Sequence, residues 1–326
     1  MRRREFVGLV GGAAAWPLAA RAQQPRRIGV LMNGAVTDQQ LQSYFTTFVQ
    51  ALRQLGWVDR QNLRIEARWN DADAERAGVF ASELVALAPD AIMAASTTNL
   101  VALLRATRTI PVVCANVFPV VQGFVSSLAH PGSNVTGFAA YEFSFGGKWL
   151  YLLKQLAPNL QRVAVMFNPE TSPQSKFFLP SIRAAARSLD VQVITAPVHE
   201  IGEIESVIVG LSHQPNGGLI FPVDSFTGLH NELIIELVAR DRVPAIYSNQ
   251  RSTAKEGGLM YYAADFVEQY RQAATYIDRI LKGEKPRDLR VQLPTKYELV
   301  INRKTAKLLG LSVPLTLLSS ADEVIE

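Results

Sequence analysis

Residues 27–33 read Arg-Ile-Gly-Val-Leu-Met-Asn, and the same pattern returns at residues 162–168 as Arg-Val-Ala-Val-Met-Phe-Asn. Two more pairs follow in the same order: 90–96 resembles 218–224, and 110–116 matches 243–249. Each run is apolar, ends in a polar residue and precedes a helical pattern. The offsets of 135, 128 and 133 residues are nearly constant. They predict two similar lobes, each built from alternating strands and helices.

Hydrophobic periodicity extends this scheme along both halves of the chain. In the first half, the pattern predicts strands at 27–33, 63–69, 90–95, 110–115 and near Val135, and helices at 38–55, 73–87, 98–107 and after Pro119. In the second half, it predicts strands at 162–167, 191–196, 218–223, 244–248, 259–262 and 297–301, and helices at 173–189, 201–211, 226–240, 265–282 and 303–309. The predicted fold is α/β, with a parallel, doubly wound sheet in each lobe.

The polar residues at the strand ends are the candidate ligand contacts. Ligands of open parallel sheets bind outside the carboxyl ends of the strands. We therefore expect Asn33, Ser96 and Asn116 of the first lobe to face Asn168, Asp224 and Asn249 of the second across a cleft.

Each candidate also has a purely structural interpretation. Ser96 and Thr97 open a helix, where hydroxyl and N–H groups suit an anion such as a carboxylate, or form an ordinary N-cap. Asp224 is placed to hold an ammonium, or to cap the helix that follows. The asparagines suit polar ligand groups or turns. Four aromatic residues are candidates for stacking on a flat ligand or for packing in the core: Phe118, Tyr141, Phe221 and Tyr247.

The N-terminus has the pattern of an export signal. Three arginines at 2–4 precede a modestly apolar stretch from Phe6 to Ala20, and Ala20-Arg21-Ala22 is a small-x-small cleavage site. Residues 1–22 are therefore predicted to be a signal peptide, and Arg3-Arg4-Glu5-Phe6 favours the twin-arginine route over the Sec route. Their removal lowers the formal net charge from +4 to +1, because four arginines and one glutamate are lost. A nucleic-acid partner is not expected at this charge.

Catalytic and metal-binding motifs are missing from the sequence. There is no Gly-x-Ser-x-Gly elbow, no Gly-x-Gly-x-x-Gly after a strand and no phosphate-binding loop. The four histidines are scattered, and Cys114 is the only cysteine. Neither an internal disulfide nor a cysteine-based metal cluster can form, and we expect no cofactor.

Several strings in the C-terminal half have a family resemblance. They are Gly257-Gly258-Leu259-Met260, Tyr276-Ile277-Asp278-Arg279-Ile280-Leu281-Lys282-Gly283-Glu284-Lys285-Pro286, Pro294-Thr295-Lys296-Tyr297-Glu298-Leu299-Val300-Ile301-Asn302, Thr305-Ala306-Lys307 and Ala321-Asp322-Glu323-Val324-Ile325-Glu326. These strings resemble the ABC-transporter substrate-binding family that includes tryptophan- and tyrosine-binding members. The resemblance runs from about Ile28 to the C-terminus.

The resemblance implies a type I periplasmic binding protein, with two Rossmann-like lobes joined by a three-crossing hinge. We assign residues 23–140 and 263–292 to lobe 1, and residues 141–262 and 293–326 to lobe 2. The expected protein is a periplasmic, monomeric receptor without enzymatic activity. It binds a small carboxylate-bearing ligand, such as an aromatic or branched amino acid, and delivers it to a membrane permease with its ATPase. A periplasmic sensor for a signalling receptor and an exported α/β enzyme remain the alternatives.

Overall fold

The computed structural model describes residues 25–118, 123–249 and 251–326. The predicted signal peptide, residues 1–22, lies outside these residues. The chain divides into two compact units. Unit 1 comprises the described residues up to Ala115, with Val125–Gly137 and Tyr270–Arg290, and unit 2 comprises Asn116–Phe124, Phe138–Gln269 and Val291–Glu326.

The strands follow the predicted apolar runs closely, except that the last strand, Glu323–Ile325, was not predicted. They are β1 (Arg26–Met32), β2 (Leu63–Trp69), β3 (Ala91–Ala94), β4 (Val112–Val117), β5 (Val135–Ala139), β6 (Arg162–Phe167), β7 (Gln192–Pro197), β8 (Gly217–Phe221), β9 (Ala245–Tyr247), β10 (Met260–Ala264), β11 (Tyr297–Asn302) and β12 (Glu323–Ile325).

The helices alternate with the strands through most of the chain. They are α1 (Gln39–Gln54), α2 (Ala74–Ala86), α3 (Thr97–Ala106), α4 (Gly146–Leu156), α5 (Leu179–Leu189), α6 (Ile201–Ser212), α7 (Ser225–Leu229), α8 (Asn231–Arg240), α9 (Ser252–Lys255), α10 (Phe266–Leu281), α11 (Arg303–Leu308) and α12 (Leu315–Ser320).

Two sheets organise these elements. The first has the strand order β2-β1-β3-β4-β5, and the second has the order β12-β11-β10-β9-β8-β6-β7. The pairings β1–β2, β1–β3 and β3–β4 in the first sheet are parallel, as are β6–β7, β6–β8, β8–β9 and β9–β10 in the second. The prediction of two α/β sheets is confirmed, with the difference that β11 runs antiparallel to β10.

Each sheet is covered by apolar helix faces. In unit 1, Tyr44, Phe48, Ala51 and Leu52 of α1 are buried, at the spacing that places side chains on one side of a helix. In unit 2, one cluster joins residues of β6, β8 and β9 to Ile204 of α6 and to residues of α8. The four residues of β3 are all buried, as expected of a strand covered on both faces.

Three predicted helices differ from the structure. The helix expected at 173–189 begins only at Leu179, after a 3-10 turn at Ser175–Phe177. The helix expected at 226–240 is divided into α7 and α8 at His230. The helix expected after Pro119 falls partly outside the described residues, and residues 123–134 form turns and irregular backbone.

A distorted stretch of β4 and β5 lies where the chain passes between the units. Asn116 has a positive φ of 57°, and its N–H donates to Gln269 Oε1 at 3.1 Å. Gln269 Nε2 donates to the carbonyl of Ala139 at 3.0 Å. Gly137, with φ +134°, lies so close to β4 that a Cβ there would be 2.1 Å from Cys114 O. Only glycine fits this approach.

No helix in the described ranges is both long enough and apolar enough to span a bilayer.

Candidate functional site

Each unit has a point where the chain reverses its direction across the sheet. In unit 1 the chain runs from β1 to β2 on one side and then returns to β3 on the other side. In unit 2 it runs from β6 to β7 and then returns to β8. The loops that leave two such strands diverge, and the crevice between them is where open α/β sheets bind ligands. We call these two places switch point 1 (β1 and β3) and switch point 2 (β6 and β8).

Three of the predicted contacts lie at switch point 1. Asn33 follows β1 and is half-buried, and Ser96 and Thr97 follow β3 and are also half-buried. Ser96 is the N-cap of α3, because its Oγ accepts from the N–H of Asn99 at 3.1 Å. The Ser96 hydroxyl still has its own proton to donate. A cap and a ligand contact are therefore compatible at this residue.

Two buried asparagines that the sequence analysis missed support this edge. Asn70 and Asn99 are both fully buried, and Asn70 Nδ2 donates to Asn99 Oδ1 at 2.8 Å. Asn99 Nδ2 donates to the carbonyl of Leu31 at the end of β1. Asn70 Oδ1 accepts from the N–H of Gly34, directly after Asn33. Because buried amides are stable only when hydrogen-bonded, this network fixes the loops after β1, β2 and β3. Asn70 follows a predicted strand, so the strand-end rule could have found it.

Asp224 is the centre of switch point 2. It is 1% exposed, and its two carboxylate oxygens accept from four donors. Oδ2 accepts from the N–H groups of Asn168 at 3.0 Å and Thr227 at 3.3 Å. Oδ1 accepts from the N–H of Phe226 at 3.1 Å and from the hydroxyl of Thr171. The carboxylate caps α7, which is the structural alternative that the sequence left open. It also joins the loop after β6 to the loop after β8.

A second group of polar side chains lies beside Asp224 in the loop after β6. Ser172 is fully buried, and its Oγ donates to the carbonyl of Val223 at 2.6 Å. Gln174 is 7% exposed, and its Nε2 donates to Ser172 Oγ at 2.8 Å and to Val223 O at 3.2 Å. Sequence reasoning missed both residues, because it assigned Gln174 to a helix over residues 173–189 and Ser172 lies beyond the strand end at Asn168. The Thr-Ser-Pro-Gln-Ser composition of 171–175 is typical of a loop and was the available signal.

The other two predicted asparagines, Asn249 of the expected second lobe and Asn116 of the expected first lobe, have different settings. Asn249 is half-buried, and its Nδ2 donates to the backbone carbonyl of Asp224 at 2.7 Å. It therefore joins the end of β9 to switch point 2. Asn116 belongs to unit 2. Its left-handed backbone conformation is stabilised by the hydrogen bond that its N–H donates to Gln269. Asparagine is one of the few residues with a side chain that adopt this conformation readily.

The predicted aromatic contacts are buried. Tyr141 is 2% exposed and its hydroxyl donates to Ser248 O at 3.1 Å. Its ring contacts those of Phe118, Phe178 and other aromatic residues of unit 2. Phe118 itself is 4% exposed and also stacks on Phe143. These rings stabilise unit 2 by packing, the alternative that the sequence analysis left open for them.

Phe221 and Tyr247 stack on each other inside the apolar cluster of unit 2. Their ring centroids are 5.0 Å apart with an interplanar angle of 6°. The Tyr247 hydroxyl is enclosed and has no hydrogen-bond partner among the described residues. Burial raises the pKa of this hydroxyl far above its ordinary value, so it stays neutral. These two rings contribute to the core beneath the ends of β8 and β9.

The described part of the chain contains no candidate metal site. No group of three or more histidine, cysteine, aspartate or glutamate residues is arranged there to hold an ion. Cys114 is a buried free thiol in β4. What the two switch points offer is hydrogen-bond donors and acceptors on rigid elements, which suits reversible binding of a small polar molecule.

Comparison with known proteins gives a consistent result. The family model for ABC transporter substrate binding proteins matches residues 29–325. A tyrosine-binding protein of Clostridioides difficile (strain R20291) is 27% identical over 265 residues, which are 81% of this chain and 75% of that protein.

Two solved structures extend the comparison to the fold. The ABC domain of Streptococcus pneumoniae in complex with L-Trp is 25% identical with a TM-score of 0.83, and the match covers 93% of this chain and 100% of the other. A conserved domain protein from Vibrio cholerae O1 biovar El Tor has a TM-score of 0.82 at 23% identity, and the match covers 92% of this chain and 100% of the other. At that identity the likeness concerns the fold alone.

Two α/β units with mainly parallel sheets are the architecture of the type I periplasmic binding proteins. The match over residues 29–325 goes further, and the chain belongs to the ABC transporter substrate binding protein family. The resemblance read from its C-terminal strings is thereby confirmed.

Proposed function

We propose that this protein is the exported receptor of an ABC importer and that its ligand is a free amino acid with an aromatic side chain. The proposal depends on one observation: each unit has a switch point where polar groups at the strand ends are held rigidly by hydrogen bonds. The family match gives the class of protein. The tyrosine-binding relative and the L-Trp complex favour an aromatic amino acid over a sugar or an ion.

The proposed ligand site uses the strand-end residues of both units. Asn33, Ser96 and Thr97 provide hydrogen-bonding groups for the ligand on unit 1. The second wall is the edge of unit 2 around Asn168, Asp224 and Asn249. The two units close on the ligand, and the closed form is favoured because ligand binds it more tightly than the open form. Asn116, Tyr141, Phe221 and Tyr247, which the sequence analysis offered as ligand contacts, support this wall from within unit 2 in the present proposal.

The proposed partners are a membrane permease and its cytoplasmic ATPase, which receive the ligand from a monomeric receptor. The predicted signal at residues 1–22 places the mature protein outside the inner membrane, in the periplasm, after export by the twin-arginine route. We infer that the protein has no catalytic activity, in keeping with relatives that are described as binding proteins.

A thermal-unfolding screen of residues 23–326 against the common amino acids tests the proposal. A ligand present at about 1,000 times its dissociation constant adds about 4 kcal/mol to the stability of the state that binds it. We expect L-tryptophan or L-tyrosine to raise the melting temperature by several degrees, and allitol or myo-inositol to leave it unchanged. A shift with the polyols and none with any amino acid would contradict the proposal.

A further inference from the structure

Two locked amides at switch point 2 present one donor and one acceptor outward. They belong to Asn168 and Gln174, which are 4% and 7% exposed. Asn168 Oδ1 accepts from the N–H groups of Glu170 at 2.8 Å and Thr171 at 3.2 Å, so its Nδ2 must be the outer end. Gln174 Nε2 donates to the Val223 carbonyl, which can only accept, so Oε1 must be the outer end of that amide.

The outer ends of both amides are available to a ligand. Neither Asn168 Nδ2 nor Gln174 Oε1 has a hydrogen-bond partner among the described residues, and neither is among the enclosed polar atoms, so both reach solvent. The inner end of Asn168 is held by two backbone N–H groups of the loop after β6, and that of Gln174 by Ser172 Oγ and the carbonyl of Val223. A ligand that binds them meets groups that are already fixed in orientation, which lowers the entropy cost of binding.

The negative charge of Asp224 determines which ligand group binds at Gln174 Oε1. Asp224 is 1% exposed, and it has no cationic partner among the described residues. Its four hydrogen bonds fill the acceptor positions of both oxygens, so an ammonium would have to displace a protein donor to touch it. The negative charge still favours a cation nearby, because a buried charge is weakly screened. Gln174, whose Nε2 bonds to the carbonyl of Val223 directly before Asp224, offers that cation an acceptor that is not already occupied.

We propose that switch point 2 recognises the zwitterionic head of an amino acid through these two amides. Gln174 Oε1 accepts from the ligand ammonium, and Asn168 Nδ2 donates to the ligand carboxylate. Asp224 acts behind them as a positioning residue that holds the loop and supplies the negative field. The proposal rests on the proposed function. It adds the residues that distinguish an amino acid from the analogue that lacks the carboxylate and from the analogue that lacks the ammonium.

A cycle of two variants and three ligands tests the assignment by calorimetry. L-tryptophan has both charged groups, 3-(indol-3-yl)propionate lacks the ammonium, and tryptamine lacks the carboxylate. Gln174→Met keeps the length of the side chain but has no acceptor. We expect it to weaken L-tryptophan binding about 10-fold or more and to change indolepropionate binding by less than about 2-fold.

Asn168→Asp keeps the acceptor that holds Glu170 and Thr171 but removes the outward donor. It is expected to weaken L-tryptophan about 10-fold or more while leaving tryptamine binding unweakened. Gln192→Met, at the start of β7 and hence at the opposite edge of the sheet, is the matched control and should bind all three ligands as the wild type does.

Three outcomes overturn the inference. One is an equal loss of affinity for L-tryptophan and indolepropionate in Gln174→Met, which would make Gln174 a loop residue without ligand contact. Another is unchanged L-tryptophan binding in either variant. If the wild type binds no free amino acid, the proposed function fails and the inference fails with it, a result distinguishable from the first two by the wild type alone.

Discussion

At the scale of the residue, buried polar side chains decide how the strand ends are arranged. Asp224 in unit 2 and Asn99 in unit 1 each tie two neighbouring strand ends together, through the N–H of Asn168 and the carbonyl of Leu31. A polar group this deeply buried is stable only with its partners in place. Such residues therefore make the edge of each sheet rigid before any ligand arrives.

Asp224→Ala is expected to lower the free energy of unfolding of the free protein by about 2–4 kcal/mol, because several buried donors lose their acceptor. It should also weaken ligand binding, since the loops after β6 and β8 come apart. Urea unfolding and calorimetry on the same preparation measure the two effects. Asp73→Ala is the control, because Asp73 caps α2 with two backbone donors only and should cost about 1 kcal/mol. Equal stability of Asp224→Ala and wild type would contradict the geometry.

Glu298 in β11 gives a prediction of pH dependence. Burial raises its pKa above the ordinary 4.5, Asp265 and Asp322 add to the rise, and Arg251, 3.2 Å away, opposes it. A raised native pKa means that the folded protein binds the proton more tightly, so stability falls as pH rises from about 4 towards 7. Glu298→Gln cannot titrate, and its stability relative to wild type should improve over this range.

Glu284 is the control for Glu298, because its pKa is shifted in the opposite direction. Hydrogen bonding to Arg279 lowers the pKa of Glu284, so the contribution of Glu284 is present at neutral pH and is lost on acidification. Glu284→Gln should therefore be less stable than wild type at neutral pH, and this difference should disappear as pH falls below about 5; it should be small because the pair is exposed. Parallel profiles for wild type and Glu298→Gln, measured by urea unfolding, would contradict the assignment.

At the scale of the element, periodicity predicted the strands well and some helices poorly. Strand 63–69 and strand 162–167 have the predicted bounds, because the half-buried edge strand β2 leaves an alternating pattern and the buried strand β6 a continuous apolar run. The predicted start of α5 was wrong because the last residues of the loop-like stretch 171–175 were read as helix, whereas Ser172 and Gln174 bond to Val223. Helix α4 was not predicted, since Gly146-Gly147 reads as a turn. In the structure Gly146 packs closely against Phe178 and Ser181, and Gly147 packs closely against Ser181.

The candidate site was predictable only in part, because it too depends on tertiary contacts. The strand-end rule located Asn33, Ser96, Asn168 and Asp224 at the two switch points, because position in a parallel sheet follows from the repeat. It could not show which atoms of Asp224 are already occupied, or that Gln174 lies beside it. Those facts depend on how two loops fold against each other, and a single sequence does not encode them in any short motif.

The contact between β4 and β5 gives a prediction for a single glycine. Gly137→Ala would place a Cβ 2.1 Å from Cys114 O and 2.6 Å from Cys114 N, at a φ that alanine rarely adopts. We expect a loss of about 4 kcal/mol or more, seen as insoluble or early-melting protein. Gly78→Ala is the control, because nothing lies within 4 Å of a Cβ there and alanine suits the interior of α2. A Gly137→Ala protein as stable as wild type would show that β4 and β5 do not approach as closely as described.

At the scale of the whole molecule, the internal repeat is the feature from which the rest follows. The pattern shared by residues 27–33 and 162–168 corresponds to β1 and β6, each the strand at which its sheet reverses direction. Two such units give two sets of rigid strand ends within one chain.

Export of the chain is predicted from residues that lie before this repeat. Arg3→Lys combined with Arg4→Lys should abolish export, because the twin-arginine route reads the arginine pair itself. Cell fractionation and N-terminal sequencing measure the result, and the mature wild-type chain is expected to begin at Gln23. Unchanged export of the double variant would assign the protein to the Sec route.

The most direct test of the account is calorimetric titration of residues 23–326 with L-tryptophan and L-tyrosine. The account predicts saturable binding of at least one of them at one site per chain, with a heat-capacity change that is negative because apolar ring surface is buried. It also predicts that the binding is competitive between the two ligands. No heat and no displacement with any free amino acid, together with saturable binding of a sugar or polyol, would contradict the central claim.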